Sequence, residues 1–151
     1  MKRRTALKIA AASLVAGSLA IGTAQAGDTV KIGAVAPKTG PLAGGSTVTH
    51  WPNIHLWVHE VNARGGLKLK DGRKKIELIE YDDQTNPGVH IKAAQRLATQ
   101  DKVDFIVAPY GTGFNLASAP IYAKHGYPQI AVSAISDKIP ELTKRYPGIF
   151  F

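Results

Sequence analysis

The chain has 151 residues, no cysteine, and 19 Lys and Arg against 11 Asp and Glu, a formal charge of +8. Without cysteine there is no disulfide, no thiolate metal site, no catalytic thiol and no lipid-bearing N-terminal cysteine. Lys2, Arg3, Arg4 and Lys8 supply four of the 19 cations, so residues 27–151 carry 15 basic against 11 acidic groups, and that modest excess points to no polyanionic partner.

Residues 1–26 read as a cleaved export signal. Lys2-Arg3-Arg4 is a positive start, Ile9 to Ile21 a short apolar core, and Ala24-Gln25-Ala26 a small-x-small cleavage site. The core is too short, and too interrupted by Gly and Ser, for a comfortable membrane span. Arg3-Arg4-Thr5-Ala6-Leu7-Lys8 also resembles a twin-arginine signal, with Ala6 where a bulkier apolar residue is usual, so an ordinary Sec signal with two arginines is the preferred reading. Either route delivers residues 27–151 outside the cytoplasm, and an unlipidated, disulfide-free chain is expected as a soluble periplasmic protein.

Strands then alternate with helices. Residues 30–36 form an apolar first strand, and residues 39–46 a Gly-rich loop. A helix is expected over 48–63, where Trp51, Ile54, Val58 and Val61 recur at three- and four-residue spacing, Pro52 suits the first turn and Gly65-Gly66 ends it. The basic run from Lys68 to Lys75, with its Asp71-Gly72 turn, reads as a solvated hairpin. No aromatic interleaves with the bases, so a nucleic-acid surface is not expected. A second strand covers 75–81, a loop 82–87 and a second helix 88–100, the last carrying Val89, Ile91, Ala94 and Leu97. Residues 103–107 form a third strand, 114–125 a third helix and 129–132 a fourth strand. Residues 133–144 are expected as a loop with a short helical turn, and 148–151 as the start of a fifth strand. The β-α-β-α-β-α-β order implies an α/β fold, a parallel flavodoxin- or Rossmann-like sheet with helices on both faces. An apolar strand ending at Phe150-Phe151 reads as the front portion of a larger protein.

In such sheets ligands sit beyond the carboxyl ends of the strands. The turn Tyr110-Gly111-Thr112-Gly113 stands there, between the third strand and a helix opening at Phe114-Asn115. Its glycines allow close backbone approach, the helix start offers unpaired N–H groups, Thr112 adds a hydroxyl and Tyr110 an aromatic face. This is chemistry for holding a small anion such as a carboxylate, with Tyr110, Gly111, Thr112, Gly113 and Phe114 as candidate ligand contacts and Trp51 as a further one beside the first loop. Thr112 or Asn115 also fits the role of a helix cap.

Other motifs lead to plainer readings. Gly111-x-Gly113 follows the wrong strand and has Leu116 in place of a third glycine, so no nicotinamide cofactor is expected. The Gly40–Ser46 stretch lacks the lysine of a P-loop and reads as a flexible rim. His55 and His59 lie four apart, but no third ligand is evident and solvent-facing histidines are expected, with no metal. Asp82-Asp83 reads as a cap and loop brace for the second helix. The loops hold no nucleophile–base pair, so an enzyme is not expected.

VKIGAVAPKTGPLAGG, a helix ending VNARGG, IELIEYDD, PYGTGFNLASAP and AVSAISDKIPELT follow one another in an order that resembles the N-terminal lobe of a type I periplasmic substrate-binding protein. Within that group the chain is most similar to the branched-chain amino-acid (Leu/Ile/Val) receptors of ABC importers. The resemblance implies that residues 27–151 are the first of two lobes that close on ligand, in a monomer without cofactor that serves an inner-membrane permease. It also implies that Thr112, with Gly111 and Gly113, holds the ligand's carboxylate, and that Ser133, Ser136 and Asp137 lie in the loop gripping its ammonium. One departure is Gly44-Gly45 where many such receptors have an aromatic that packs on the ligand. The nearest large groups are His50 and Trp51, which permits a larger or aromatic acid. A sensor feeding a membrane receptor would use the same fold.

Overall fold

The computed structural model describes residues 29–150, so the export signal and Phe151 lie outside the described residues. β1 (Thr29–Ala36) is the central strand and is almost wholly buried. It pairs in parallel with β3 (Gly72–Asp82), from Thr29 opposite Lys75 to Ala36 opposite Asp82. On its other side it pairs in parallel with β4 (Phe105–Val107). β2 (Leu67–Leu69) runs antiparallel to β3 as the expected basic hairpin, giving the order β2-β3-β1-β4.

Side-chain alternation along β1 sends neighbouring residues to opposite faces and builds two cores. Ala34 and Ala36 pack with Trp51 and Ile54 of α2 (Trp51–Ala63). Val35 packs on the other face with Ala93 and Ala94 of α3 (Pro87–Arg96), and with Leu97, Val103 and Tyr122. α3 continues as a π-helical turn, Leu97–Asp101. A Cβ on Gly33 would lie 2.8 Å from Leu97 Cδ2, so the bare backbone at 33 is what lets Leu97 seat against the strand. These are the helices on both faces that the alternation of strands and helices implied.

Three details differ from expectation. The first helix begins earlier, as α1 (Ala43–Thr49), and is broken from α2 at His50. The Gly44-Gly45 pair does not prevent a helical turn, in which the Thr47 and Thr49 hydroxyls donate back to the Ala43 and Gly45 carbonyls. The break follows from Pro52, which has no N–H to donate to Val48. Next, α4 (Thr112–Lys124) starts two residues before the expected position and contains Pro120. Last, β5 (Gln129–Ile130) does not join the main sheet. It pairs in parallel with β6 (Ile149–Phe150). An apolar cleft of about 300 Å³ lies there, lined by Phe105, Ile106 and Val107 of β4 and by Pro128, Ile130 and Val132. The short helical turn expected in the last loop is α5 (Ile139–Arg145).

Candidate functional site

The loops following β1, β3, β4 and β5 meet at one end of the sheet. Asp82 organises the first two. Its Oδ1 accepts from the backbone N–H of Lys38 (2.7 Å), Gln84 (2.8 Å) and Thr39 (3.2 Å), and its Oδ2 from the Thr39 hydroxyl (2.7 Å). Burial pushes the Asp82 carboxyl up, but these four donors outweigh it and hold the group below its ordinary range. Thr85 adds a second tie, its hydroxyl donating to Thr39 O and accepting from Leu42 N–H. Gly40, at φ +84°, must be glycine here, because a Cβ would lie 2.5 Å from Gln84 O.

Asp83 turns inward. Its Oδ2 is 2.9 Å from His90 Nδ1, His90 Nε2 is 2.6 Å from Ser118 Oγ, and Ser118 donates to Phe114 O at 2.9 Å. All three side chains are fully buried. The arrangement has the order of a Ser-His-Asp relay, yet Ser118 sits inside α4 where no substrate reaches it. It braces α3 against α4. Sequence reading missed it, although His90, Ala93, Ala94 and Leu97 share one helical face and His90 is the polar intruder on it. The expected carboxylate cap of α3 is supplied instead by Asn86, whose Oδ1 accepts from Gly88 and Val89 N–H.

The turn after β4 comes together with the loop after β5. Gly111, at φ +95°, is the N-cap residue of α4, and no side chain caps that helix. Neither Thr112 nor Asn115 takes the capping role. Asn115 is buried and donates to Pro109 O and Gly111 O, while Gln129 donates to Asn115 Oδ1 and O. Gly111 N–H donates to Ser133 Oγ at 3.1 Å, and Ser133 Oγ donates to Pro109 O at 3.0 Å. Thr112 Oγ1 donates to Ile135 O and accepts from Ile135 N–H at 2.9 Å. Gly111, Thr112 and Ser133 are thus neighbours, with Gly113 exposed in the first turn of α4.

The remaining expected residues are placed differently. Phe114 is buried and stacks on His90, with ring centroids 4.7 Å apart, so its side chain serves the core. Trp51 is 4% exposed and donates its indole N–H to Pro37 O, which roots it under the first loop. Lys38 Nζ lies 4.4 Å from the Trp51 ring centre. Ser136 Oγ accepts from Lys138 N–H in the turn before α5. Asp137 is exposed and makes no hydrogen bond or ion pair among the described residues, and it does not cap α5. His55 pairs with Glu80, which also holds Lys38 at 2.5 Å. Burial raises the Glu80 carboxyl, but the bonds from Lys38 and His55 bring it below its ordinary value. Among the described residues no group of three or more His, Asp or Glu is arranged to hold a metal ion.

Tyr110 bridges the two ends of the site. Its backbone adjoins Gly111, and its hydroxyl lies against α1, 2.2 Å from where a Gly45 Cβ would stand. Its ring meets the edge of His50 at 5.9 Å, and His50 in turn meets Trp51 at 5.6 Å.

A family model described as periplasmic binding protein matches residues 29–151. A Leu/Ile/Val-binding protein homologue of Brucella abortus is 28% identical over 131 residues, 85% of this chain and 31% of that protein. The isoleucine complex of the branched-chain amino-acid transporter substrate-binding protein LivJ from Streptococcus pneumoniae superposes with a TM-score of 0.70 at 33% identity. The match covers 81% of this chain and 33% of that one. A solute-binding protein of an ABC transporter from Rhodopseudomonas palustris, solved with 3,4-dihydroxybenzoic acid, gives 0.61 at 30% identity, covering 81% of this chain and 31% of that one. The chain spans about a third of the length of these relatives.

Proposed function

We propose that this chain, which belongs to the periplasmic binding protein family, forms the first lobe of a receptor that captures a small carboxylate, an amino acid or a related acid, for an ABC importer. One observation carries the reading. The 13-residue helix α4 begins at the carboxyl end of β4 with a glycine N-cap and no capping side chain, so its first-turn N–H groups have no side-chain acceptor. Such a helix start attracts an anion through its unpaired donors and its dipole. Gly111, Thr112 and Gly113 supply the turn and Tyr110 an aromatic wall, and the Ser133–Ile135 loop closes over it. Ser133 and Thr112 are the hydroxyls best placed to exchange these internal bonds for bonds to a ligand. Ser136 and Asp137, in the loop before α5, are the candidate partners for a ligand's ammonium.

The reading is one of binding without bond-making, consistent with the solute-binding roles of the relatives. The Ser118–His90–Asp83 relay gives an enzyme reading no support, because its nucleophile is sealed in the core. Export to the periplasm, a permease partner and a monomeric state belong to the same proposal and rest on the family and the residue 1–26 pattern. Titration calorimetry of the encoded protein against the protein amino acids and simple aromatic acids tests it. Saturable binding of at least one such acid is expected, weakened by Thr112→Val. Binding of none of them overturns the reading.

A further inference from the structure

The first-loop end of the site contains two buried polar atoms with no partner among the described residues, Ser46 Oγ and His50 Nε2. They stand one helical turn apart, at i and i+4 across α1 and the break before α2, so they face the same way. Ser46 is fully buried and His50 nearly so. Leaving a polar atom buried and unbonded is costly, which makes two on one face a feature to be explained. Burial draws the His50 imidazole below its ordinary value, with the Asp83 charge partly opposing, so the ring is neutral at pH 7. A neutral ring suits a neutral guest group.

Tyr110 adjoins this stretch of the chain. Its ring lies on His50 and its hydroxyl on Gly45, next to Ser46. The Tyr110 hydroxyl makes no hydrogen bond among the described residues, and nothing lies within 4 Å of where a Gly44 Cβ would be. Displacing the ring would break no side-chain hydrogen bond among the described residues. Tyr110 also measures the distance. From its backbone, beside the Gly111 turn, to its hydroxyl, beside Ser46, the span is one tyrosine side chain.

We infer that Ser46 and His50, beside Tyr110, form a hydrogen-bonding subsite that selects small carboxylates bearing a hydroxyl about one aromatic ring away from the carboxylate. This rests on the receptor reading and names the ligand class for it. An acid gripped at the start of α4 and reaching as far as Tyr110 does would place its distal hydroxyl between Ser46 Oγ and His50 Nε2, satisfying both. An aliphatic side chain of branched-chain type would leave both unbonded and gains nothing there.

The test is calorimetric titration of the encoded protein with 4-hydroxybenzoate against benzoate, and tyrosine against phenylalanine, with isoleucine as the aliphatic comparison. The hydroxylated member of at least one pair is expected to bind roughly tenfold or more tightly, as a buried hydroxyl partner at each end warrants. Ser46→Ala and His50→Phe should collapse that ratio toward one while leaving the affinity for the unhydroxylated acid in place. Ser46→Ala removes an unbonded buried hydroxyl, so its thermal stability should not fall, which separates a ligand contact from a structural role. Equal affinity within both pairs, or isoleucine binding tighter than all four, overturns the subsite and leaves the receptor reading standing. Binding of no acid overturns both.

Discussion

The two sides of the site are held by different means. On the first-loop side, the loops after β1 and β3 are tied by two buried or half-buried carboxylates, Asp82 to the backbone of residues 38–39 and Asp83 to the buried His90. Both rest on β1 and β3, which pair over eight consecutive residues. On the far side, β5 contributes two residues paired only with β6, and the loop after it turns Val132 and Ile135 to water, at 83% and 90% exposed. That side is fastened to the β4 turn by side-chain bonds from Ser133, Thr112 and Gln129. The contrast separates a preformed jaw from a hinged one. Regions with few buried apolar contacts open at low free-energy cost, and a binding loop is drawn from that end of the range.

The largest effect is expected at His90. His90→Leu leaves Asp83 buried with only the Thr85 N–H for company, and removal of one member of a buried pair costs about 3–5 kcal/mol. Urea denaturation should show a loss of that size. Thr112→Val removes both bonds to Ile135 on the hinged side, and about 1 kcal/mol is expected from global stability. Its stronger effect should be local, as faster amide hydrogen exchange at Ile135 with no change at β1. If Thr112→Val costs as much as His90→Leu, the two sides do not differ as described. Gly45→Ala sharpens the picture at Tyr110. Alanine favours the helix by up to about 1 kcal/mol but pushes the Tyr110 hydroxyl away, so overall stability should move by less than about 1 kcal/mol. The near-ultraviolet circular dichroism of the ring should change nonetheless.

The rigid side was also the more legible in the sequence. The run VKIGAVA declares a buried strand, and Lys75–Tyr81 alternates clearly enough for the neighbouring one. The register that brings Asp82 beside Lys38 depends on which strands pair, and pairing is a long-range property that local periodicity does not carry. Asp82-Asp83 was readable as a loop brace, but the division of labour between them, one outward to the first loop and one inward to His90, was not. Trp51 and Phe114 show the reverse limit. Both are large aromatics beside a Gly-rich loop, which invites a ligand role, yet helical phase turns them into the core. Tyr110, Gly111, Thr112 and Ser133 do gather at one place, because strand-end geometry brings the loops after β4 and β5 together whatever their sequence. The early helical turn at Gly44-Gly45 is not legible locally, because two glycines have weak helix propensity and only the tertiary setting makes α1 helical.

Acid should separate the two sides by a smaller margin. Asp82 is the outward tie of the preformed jaw, and its carboxyl in the fold lies below the ordinary value of 3.8. A carboxylate whose folded value is depressed contributes stability that is complete above the unfolded value and drains as pH falls through the folded one. The wild-type chain should therefore lose stability between about pH 4 and the lower folded value of Asp82, as the protonated group releases the N–H groups of Lys38, Thr39 and Gln84. Asp82→Asn lacks that charge at every pH. It should begin less stable at pH 7 and lose less between pH 5 and pH 3, so the two urea midpoints converge in acid. Ser133→Ala, which touches only the hinged side, should run parallel to wild type throughout the same titration. Should Asp82→Asn instead run parallel to wild type, the Asp82 carboxylate contributes no charge-dependent anchoring to the first-loop side.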